Sequence, residues 1–411
     1  MNRLPLLNER LYLRSPCINV CFRVTLKGSV DRNKINKALE KARKRHPFVN
    51  CFVEIDHDHN AWLVQNSGSI AVEYHEASAM DWQTWYDKTD NVPFDFSKGP
   101  LVKFCVISDE NTEIIILGHH IIGDGIGHLN LVKDVLLALD NGIDTTPLIP
   151  PAEPADRYFK ETILLDQAAK DYAQWLNGEW RKSRVRFSET DYQVFFEQYR
   201  KKQVSRLYTA SLDKNDMKKP REKGAPNGLT VNEIIAAAFS GAFMEIFHKK
   251  ETRLGIAANI RGELVSEPHN YMGNYVTGIS AEARFNQENG FFSNAKTTAA
   301  ILRKQLLNPK HRHLIVHFLN EFDKDLIESI MFAAYGGFDH PVAKKLAELI
   351  GEQAENKGLG ISNLGRFDNG DYENVIDIQF IGPAFPANLL TVGLITVNDR
   401  LNFAFATMNR K

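Results

Sequence analysis

Cysteine is scarce in this chain. Its four residues, Cys17, Cys21, Cys51 and Cys105, are too few to staple 411 residues, which excludes a disulfide scaffold. Cys17 and Cys21 lack the CxxC spacing of a redox or zinc knuckle and read as structural thiols on one face of a strand. Charge of one sign is also lacking. Lys and Arg total 50 against 51 for Asp and Glu, a net charge of −1, so no general attraction to nucleic acid or an acidic membrane is expected. There is no P-loop and no GxGxxG fingerprint. The longest apolar stretch, around Ile234–Met244, is too short to span a bilayer. The N-terminal MNRLPLLNERLYLRS carries charges where a signal peptide would have its apolar core. The expectation is a cytoplasmic protein with no transmembrane segment and no nucleic-acid partner.

Hydrophobic residues make up 43% and charged residues 25%, ordinary globular values. The length suits two domains. Residues 141–156, NGIDTTPLIPPAEPAD, hold four prolines and break every pattern, so they read as a linker between domains at 1–156 and 157–411. Val20–Leu26, Leu101–Ile107 and Ile114–Leu117 read as strands, the last buried on both faces. A helix starts after Ser29 or Asp31 and ends before Pro47, and a second carries Ile126, Leu129, Val132, Leu136 and Leu139 on one face. The second half opens with a helix-like charged stretch to about Arg206, then a polar segment, Lys214–Gly228, that reads as an exposed loop. Thr230 caps a helix and Arg253–Ile260 is strand-like. Helices are predicted at 293–307, 323–334 and 341–355, and strands at 358–362, 374–381, 389–397 and 400–407. Mixed order of this kind predicts α/β or α+β layers in both halves.

The strongest local signal lies between a buried strand and a helix: His119-His120-Ile121-Ile122-Gly123-Asp124-Gly125. A neutral histidine at the end of a rigid strand can act as a general base near neutral pH. The glycines allow a substrate to approach the backbone. Asp124 can orient an imidazole or pair with a cation that fixes the loop. The competing reading is a turn whose histidines are structural. A metal site would need His119, His120, Asp124 and His128 together, and their spacing fits no metal motif, so no metal is expected.

HHxxxDG resembles the signature of the acyltransferase superfamily that includes nonribosomal-peptide condensation domains, polyketide-associated acyltransferases, alcohol acetyltransferases and, more distantly, chloramphenicol acetyltransferase. Other segments agree in order: Arg45-His46-Pro47-Phe48, Pro93-Phe94-Asp95 through Gly99-Pro100-Leu101, Thr230-Val231-Asn232-Glu233, Met272-Gly273-Asn274 and Ile361-Ser362-Asn363-Leu364-Gly365. The resemblance implies an α/β fold with α+β mixed sheets, in which two chloramphenicol-acetyltransferase-like domains form a V-shaped pair around a central tunnel. It implies an acyltransferase that moves an acyl group from a thioester to an alcohol. The donor would be acyl-coenzyme A or a phosphopantetheine-linked acyl group, with an acyl carrier protein as a further partner and no bound cofactor. His120 matches the catalytic base. His119 supports the loop. Asp124 matches a structural aspartate that pairs with an arginine, for which Arg261 is the candidate, and Gly125 keeps space at the tunnel wall. Ser362 and Asn363 are candidates to bind the substrate at the developing oxyanion.

No DFGWG segment is present, and the SNLG segment stands near its place, which favours a stand-alone O-acyltransferase. The alternatives are an amide-forming condensation enzyme acting on an amine and a non-catalytic module that binds acyl carrier protein. Two further patterns are set aside. His311, His313 and His317 read as a solvated helix face, with no carboxylate motif near them. The basic stretch Trp180–Arg186 is balanced by interleaved acids.

Overall fold

The computed structural model describes residues 2–16, 18–140, 142–150, 159–161, 163–351, 357–368, 370, 372 and 374–410. Cys17, most of the C-terminal part of the proline-rich stretch and residues 352–355 of the helix predicted at 341–355 lie outside the described residues. Three sheets organise the chain. The small one pairs β1 (Arg3–Pro5), β4 (Ala61–Gln65) and β3 (Cys51–Ile55). The second has the order β12-β2-β7-β6-β5, with β2 Asn19–Leu26, β5 Val72–Glu76, β6 Val102–Ser108, β7 Thr112–His119 and β12 Val375–Ile381. The third has the order β10-β9-β11-β13-β14-β8. Its strands are β8 Gln203–Leu212, β9 Glu251–Asn259, β10 Val276–Arg284, β11 Gly358–Arg366, β13 Asn388–Val397 and β14 Arg400–Arg410. Parallel and antiparallel pairs occur in both larger sheets, so the fold is mixed α/β.

The helices follow capping chemistry. Asp31, not Ser29, caps α1 (Arg32–Arg45), its carboxylate accepting from Asn33 and Lys34 N–H. Thr230 and Glu233 form a capping box at the start of α7 (Val231–Ile246). The remaining helices are α2 Trp82–Asp90, α3 Gly125–Asp140, α4 Gln167–Lys182, α5 Glu189–Lys202, α6 Lys214–Gly224, α8 Phe291–Leu306, α9 Pro309–Asn320, α10 Lys324–Ala334 and α11 Pro341–Leu349. No single helix among the described residues is long and apolar enough to cross a membrane.

Three expectations are corrected. The charged stretch does not stay helical to Arg206: α5 ends at Lys202 and β8 begins at Gln203, pairing antiparallel with β14. The segment Lys214–Gly228 is not a loop. Asp213 and Asp216 form a capping box, and the chain turns into α6 despite Pro220. His313 is not on a solvated face. It is buried at 2% exposure, its imidazole hydrogen-bonded to Glu263 and packed 3.9 Å from the Phe159 ring. The carboxylate that holds it comes from a segment 50 residues away.

The connection that matters most for the site is β12. This strand belongs to the C-terminal half but lies at the edge of the second sheet, with Phe380 opposite Phe22 and Ile381 opposite Cys21. The largest apolar cluster therefore runs from Leu6 to Ala404. Cys21, Cys51 and Cys105 are buried free thiols within it. Burial of β12 predicts a sharp contrast between neighbours. Ile378→Ala, at 0% exposure, should cost about 2–5 kcal/mol. Ile376→Ala, at 43% exposure, should cost less than about 1 kcal/mol. Urea midpoints measure both, and equal losses would contradict the docking of β12.

Candidate active site

Strand β7 delivers His119 at its last residue, a 3-10 turn covers His120–Ile122, and α3 begins at Gly125. His119 caps that turn. Its Nδ1 accepts from the Ile121 N–H at 3.2 Å, and its Nε2 lies 3.5 Å from the Ser15 carbonyl. This network assigns the proton to Nε2. Phe96 and Phe94 meet the ring edge-on at 5.0 and 5.8 Å. Burial lowers its pKa to about 3, so the ring is neutral. His128, one turn into α3, has Nδ1 3.0 Å from the Asp124 carbonyl, and burial lowers its pKa to about 4. A Cβ on Gly118 would lie 2.2 Å from His128 Nε2, so only glycine fits there.

The Asp124 carboxylate sits in a ring of donors. Its Oδ1 accepts from Gly127 N–H and Arg261 Nη2, and its Oδ2 from Arg261 Nη1 and Tyr275 N–H, all at 2.8 Å. Burial pushes this carboxyl upward. The Arg261 charge and the four hydrogen bonds outweigh that and hold it below the usual carboxylate range. Arg261 is itself 1% exposed and also reaches the Gly273 carbonyl at 3.3 Å and the Tyr275 ring at 4.8 Å. The next residue, Asn274, donates Nδ2 to the carbonyl of His120 at 2.8 Å.

His120 lies at the wall of a cavity of about 400 Å³. Its ring centroid is 4.5 Å from that of Tyr12 and 6.0 Å from that of Phe385. Its Nδ1 is buried without a hydrogen-bond partner among the described residues. Nε2 is therefore the nitrogen available to a bound molecule. Burial lowers the pKa of the ring; the charge of Asp124, the residue's own carbonyl and the Asn274 side chain oppose this without reversing it. The result is a neutral base beside an apolar space.

The cavity runs along β9 and β10 and is also lined by β11, Phe380 of β12 and the N-terminal segment. Gly125 is part of its wall, where a Cβ would meet Phe380 at 3.0 Å and Leu364 at 3.1 Å. Ser362 and Asn363 also line it. Asn363 is already engaged: its Nδ2 donates to Asn232 at 2.6 Å and its Oδ1 accepts from Gly365 N–H at 2.8 Å. Sequence reasoning missed Tyr12 and Phe385, because an isolated aromatic in a 3-10 turn or a loop carries no motif. It noted Asn274 only as part of a segment. Among the described residues, no three His, Cys, Asp or Glu side chains are grouped to hold a metal ion. The basic stretch after Trp180 is neutralised from across the chain, with Arg181 and Arg184 on Asp323 and Arg184 also on Asp325.

The family model of the Condensation domain matches residues 8–311. Bacitracin synthase 2 of Bacillus licheniformis is 25% identical over 185 residues, 44% of this chain but only 6% of that protein. Among solved structures, trichothecene 15-O-acetyltransferase from Fusarium sporotrichioides is 13% identical with a TM-score of 0.65 over 99% of this chain and 90% of that one. The first condensation domain of the CDA synthetase is 10% identical with a TM-score of 0.64, covering 99% and 90%. Polyketide synthase associated protein 5 from Mycobacterium tuberculosis is 15% identical with a TM-score of 0.62, covering 98% and 92%.

Two predictions follow the geometry. Arg261→Ala leaves the Asp124 carboxylate buried and half-satisfied, and should destabilise the fold by about 3–5 kcal/mol in chemical denaturation. A loss under about 1 kcal/mol would mean water replaces the guanidinium. Stability should also fall in acid. His119 and His128 are held neutral when folded but take up protons near pH 6.5 when unfolded, so the unfolded state binds more protons as the pH falls. Each contributes up to about 1.4 kcal/mol per pH unit below about 6.5, until its folded pKa is reached. Asp124, lowered when folded, adds its loss below about pH 4. Urea midpoints that stay flat from about pH 7 to 5 would contradict this burial.

Proposed function

Because the chain belongs to the condensation-domain family, we propose that it is an acyltransferase that moves an acyl group from a thioester to an alcohol, with His120 as general base. The observation that carries the proposal is the placement of a neutral, buried His120 with only Nε2 available, at the wall of a largely apolar cavity. A thioester is already activated, so the protein needs no covalent nucleophile. It must hold two reactants together and remove one proton. The acceptor hydroxyl oxygen attacks the thioester carbonyl carbon as Nε2 takes the hydroxyl proton. The tetrahedral intermediate collapses, the carbon–sulfur bond breaks, and the imidazolium returns the proton to the departing sulfur. The products are an ester and a free thiol.

Ser362 is the remaining side chain of the pair for the developing oxyanion, since Asn363 is committed to Asn232 and Gly365. Asp124 and Arg261 act as positioning residues. They fix the turn that aims His120 and do not touch the reacting atoms. Gly125 keeps the wall open for the acyl chain. The donor is an acyl thioester of coenzyme A or of a carrier protein. The alcohol reading is supported by the SNLG segment and the lack of DFGWG. The sequence similarity to bacitracin synthase 2 favours a second reading, transfer to an amine.

Thiol release from short to long acyl-coenzyme A donors, with alcohols and amines as acceptors, tests the proposal. Acceptor-dependent release should fall by about 10²–10⁴-fold in His120→Ala. The melting temperature should change little, because the imidazole borders the cavity and its Nδ1 has no hydrogen-bond partner among the described residues. Turnover unchanged in His120→Ala would refute the assignment. Release only with amines would move the chain to the second reading, and binding without release from any donor, carrier proteins included, would make it a docking module.

A further inference from the structure

One carboxylate in the cavity has no part in the mechanism above. Glu9 lies on the 3-10 turn Asn8–Tyr12. In such a turn, residues three apart lie over one another. Glu9 and Tyr12 therefore share a face, and both line the cavity that contains His120. The Tyr12 ring is 4.5 Å from the His120 ring. Glu9 is one turn further along the wall, about 6 Å by the rise of a 3-10 helix.

Leu7, Leu11, Ile260 and Leu264 line the same cavity. Glu9 Oε2 accepts from the Leu7 N–H at 3.2 Å, and the residue's own backbone N–H also favours the charged form. Among the described residues, no Lys, Arg or His pairs with it. Burial raises its pKa above the ordinary value, and its charge in turn adds to the upward shift of the Tyr275 phenol, which is due first to burial. The guanidinium of Arg261, which lines the same cavity, is spent on Asp124. Glu9 is half-buried at the cavity wall, so its carboxylate is partly desolvated with no cation beside it among the described residues. A bound molecule bearing a cation would supply one.

We infer that Glu9 is an acceptor-recognition residue: the cavity takes an acceptor that carries a protonated amine besides its nucleophilic hydroxyl, the ammonium pairing with Glu9 while the hydroxyl meets His120 Nε2. The position of the hydroxyl rests on the acyl-transfer reading. The ammonium contact does not, and is read by binding alone.

The test uses length-matched hexanol, hexanediol and aminohexanol. Thermal-shift titrations are run on the full chain without any donor, for the wild type, Glu9→Gln and Glu9→Asp. Aminohexanol should stabilise the wild type at concentrations at least about tenfold lower than the other two, because only it neutralises the carboxylate. Glu9→Gln should abolish that preference and Glu9→Asp, which keeps the charge, should retain it. With a working donor, Glu9→Gln should raise KM for aminohexanol at least about tenfold while leaving kcat within about twofold, the mark of lost uniform binding. Equal binding of all three compounds by the wild type would overturn the inference. So would a preference that persists in Glu9→Gln. A Glu9-dependent preference found without turnover from any donor would keep the ammonium site and remove the acyl-transfer reading. Turnover that ignores the amine would do the opposite.

Discussion

The buried contact between Asp124 and Arg261 is the constraint on which the site depends. Two charges taken out of water repay their desolvation only if every lone pair and proton finds a partner. Here both carboxylate oxygens have two donors each. The residues are 137 positions apart. The pair therefore ties the turn between β7 and α3 to the end of β9, a strand of the other large sheet. Gly273, Asn274 and Tyr275 follow from it. The Gly273 carbonyl accepts from Asp124 N–H and from Arg261, and Asn274 holds the His120 carbonyl. The position of His120 is thus set by backbone contacts from a segment that Arg261 anchors.

The same burial that makes the pair demanding makes the histidines useful. His119, His120 and His128 are crowded into one apolar region, and each loses the charged form to desolvation. His119 and His128 spend their hydrogen bonds on shaping the turn. His120 alone meets the cavity, and its neutral state is the one a base requires. Strand β12 adds to the wall. By joining the second sheet while its chain neighbours β11 and β13 pair in the third, it brings Phe380 to the wall opposite Gly125.

Local chemistry was legible in the sequence, and long-range chemistry was not. The strand–turn–helix around His119 to Gly125 could be read because apolar runs, a glycine pair and a helical stripe lie next to one another. Asp31 and Thr230 announce helix starts by side chains that cap their own backbone. Strand β8 stayed hidden because it is an exposed edge strand, whose charges and polar residues mask any alternation. Helix α6 was hidden by Pro220, glycine and lysines, although Asp213 and Asp216 form a capping box. His313 looked solvated because Glu263, which buries it, is far away in sequence. Arg261 came forward only through the family resemblance, and Glu9 and Tyr12 carried no motif at all. Their significance comes from a 3-10 turn folded over a cavity assembled from distant strands.

Whether His120 works as a neutral buried base is read by the pH dependence of kcat/KM for acyl transfer. An essential base with a lowered pKa gives an acid limb whose midpoint lies below about 6.5, the ordinary histidine value. That limb is expected in the wild type and should be absent from any residual activity of His120→Ala. A limb at or above about 6.5, or one unchanged by removal of the imidazole, would contradict that role for His120.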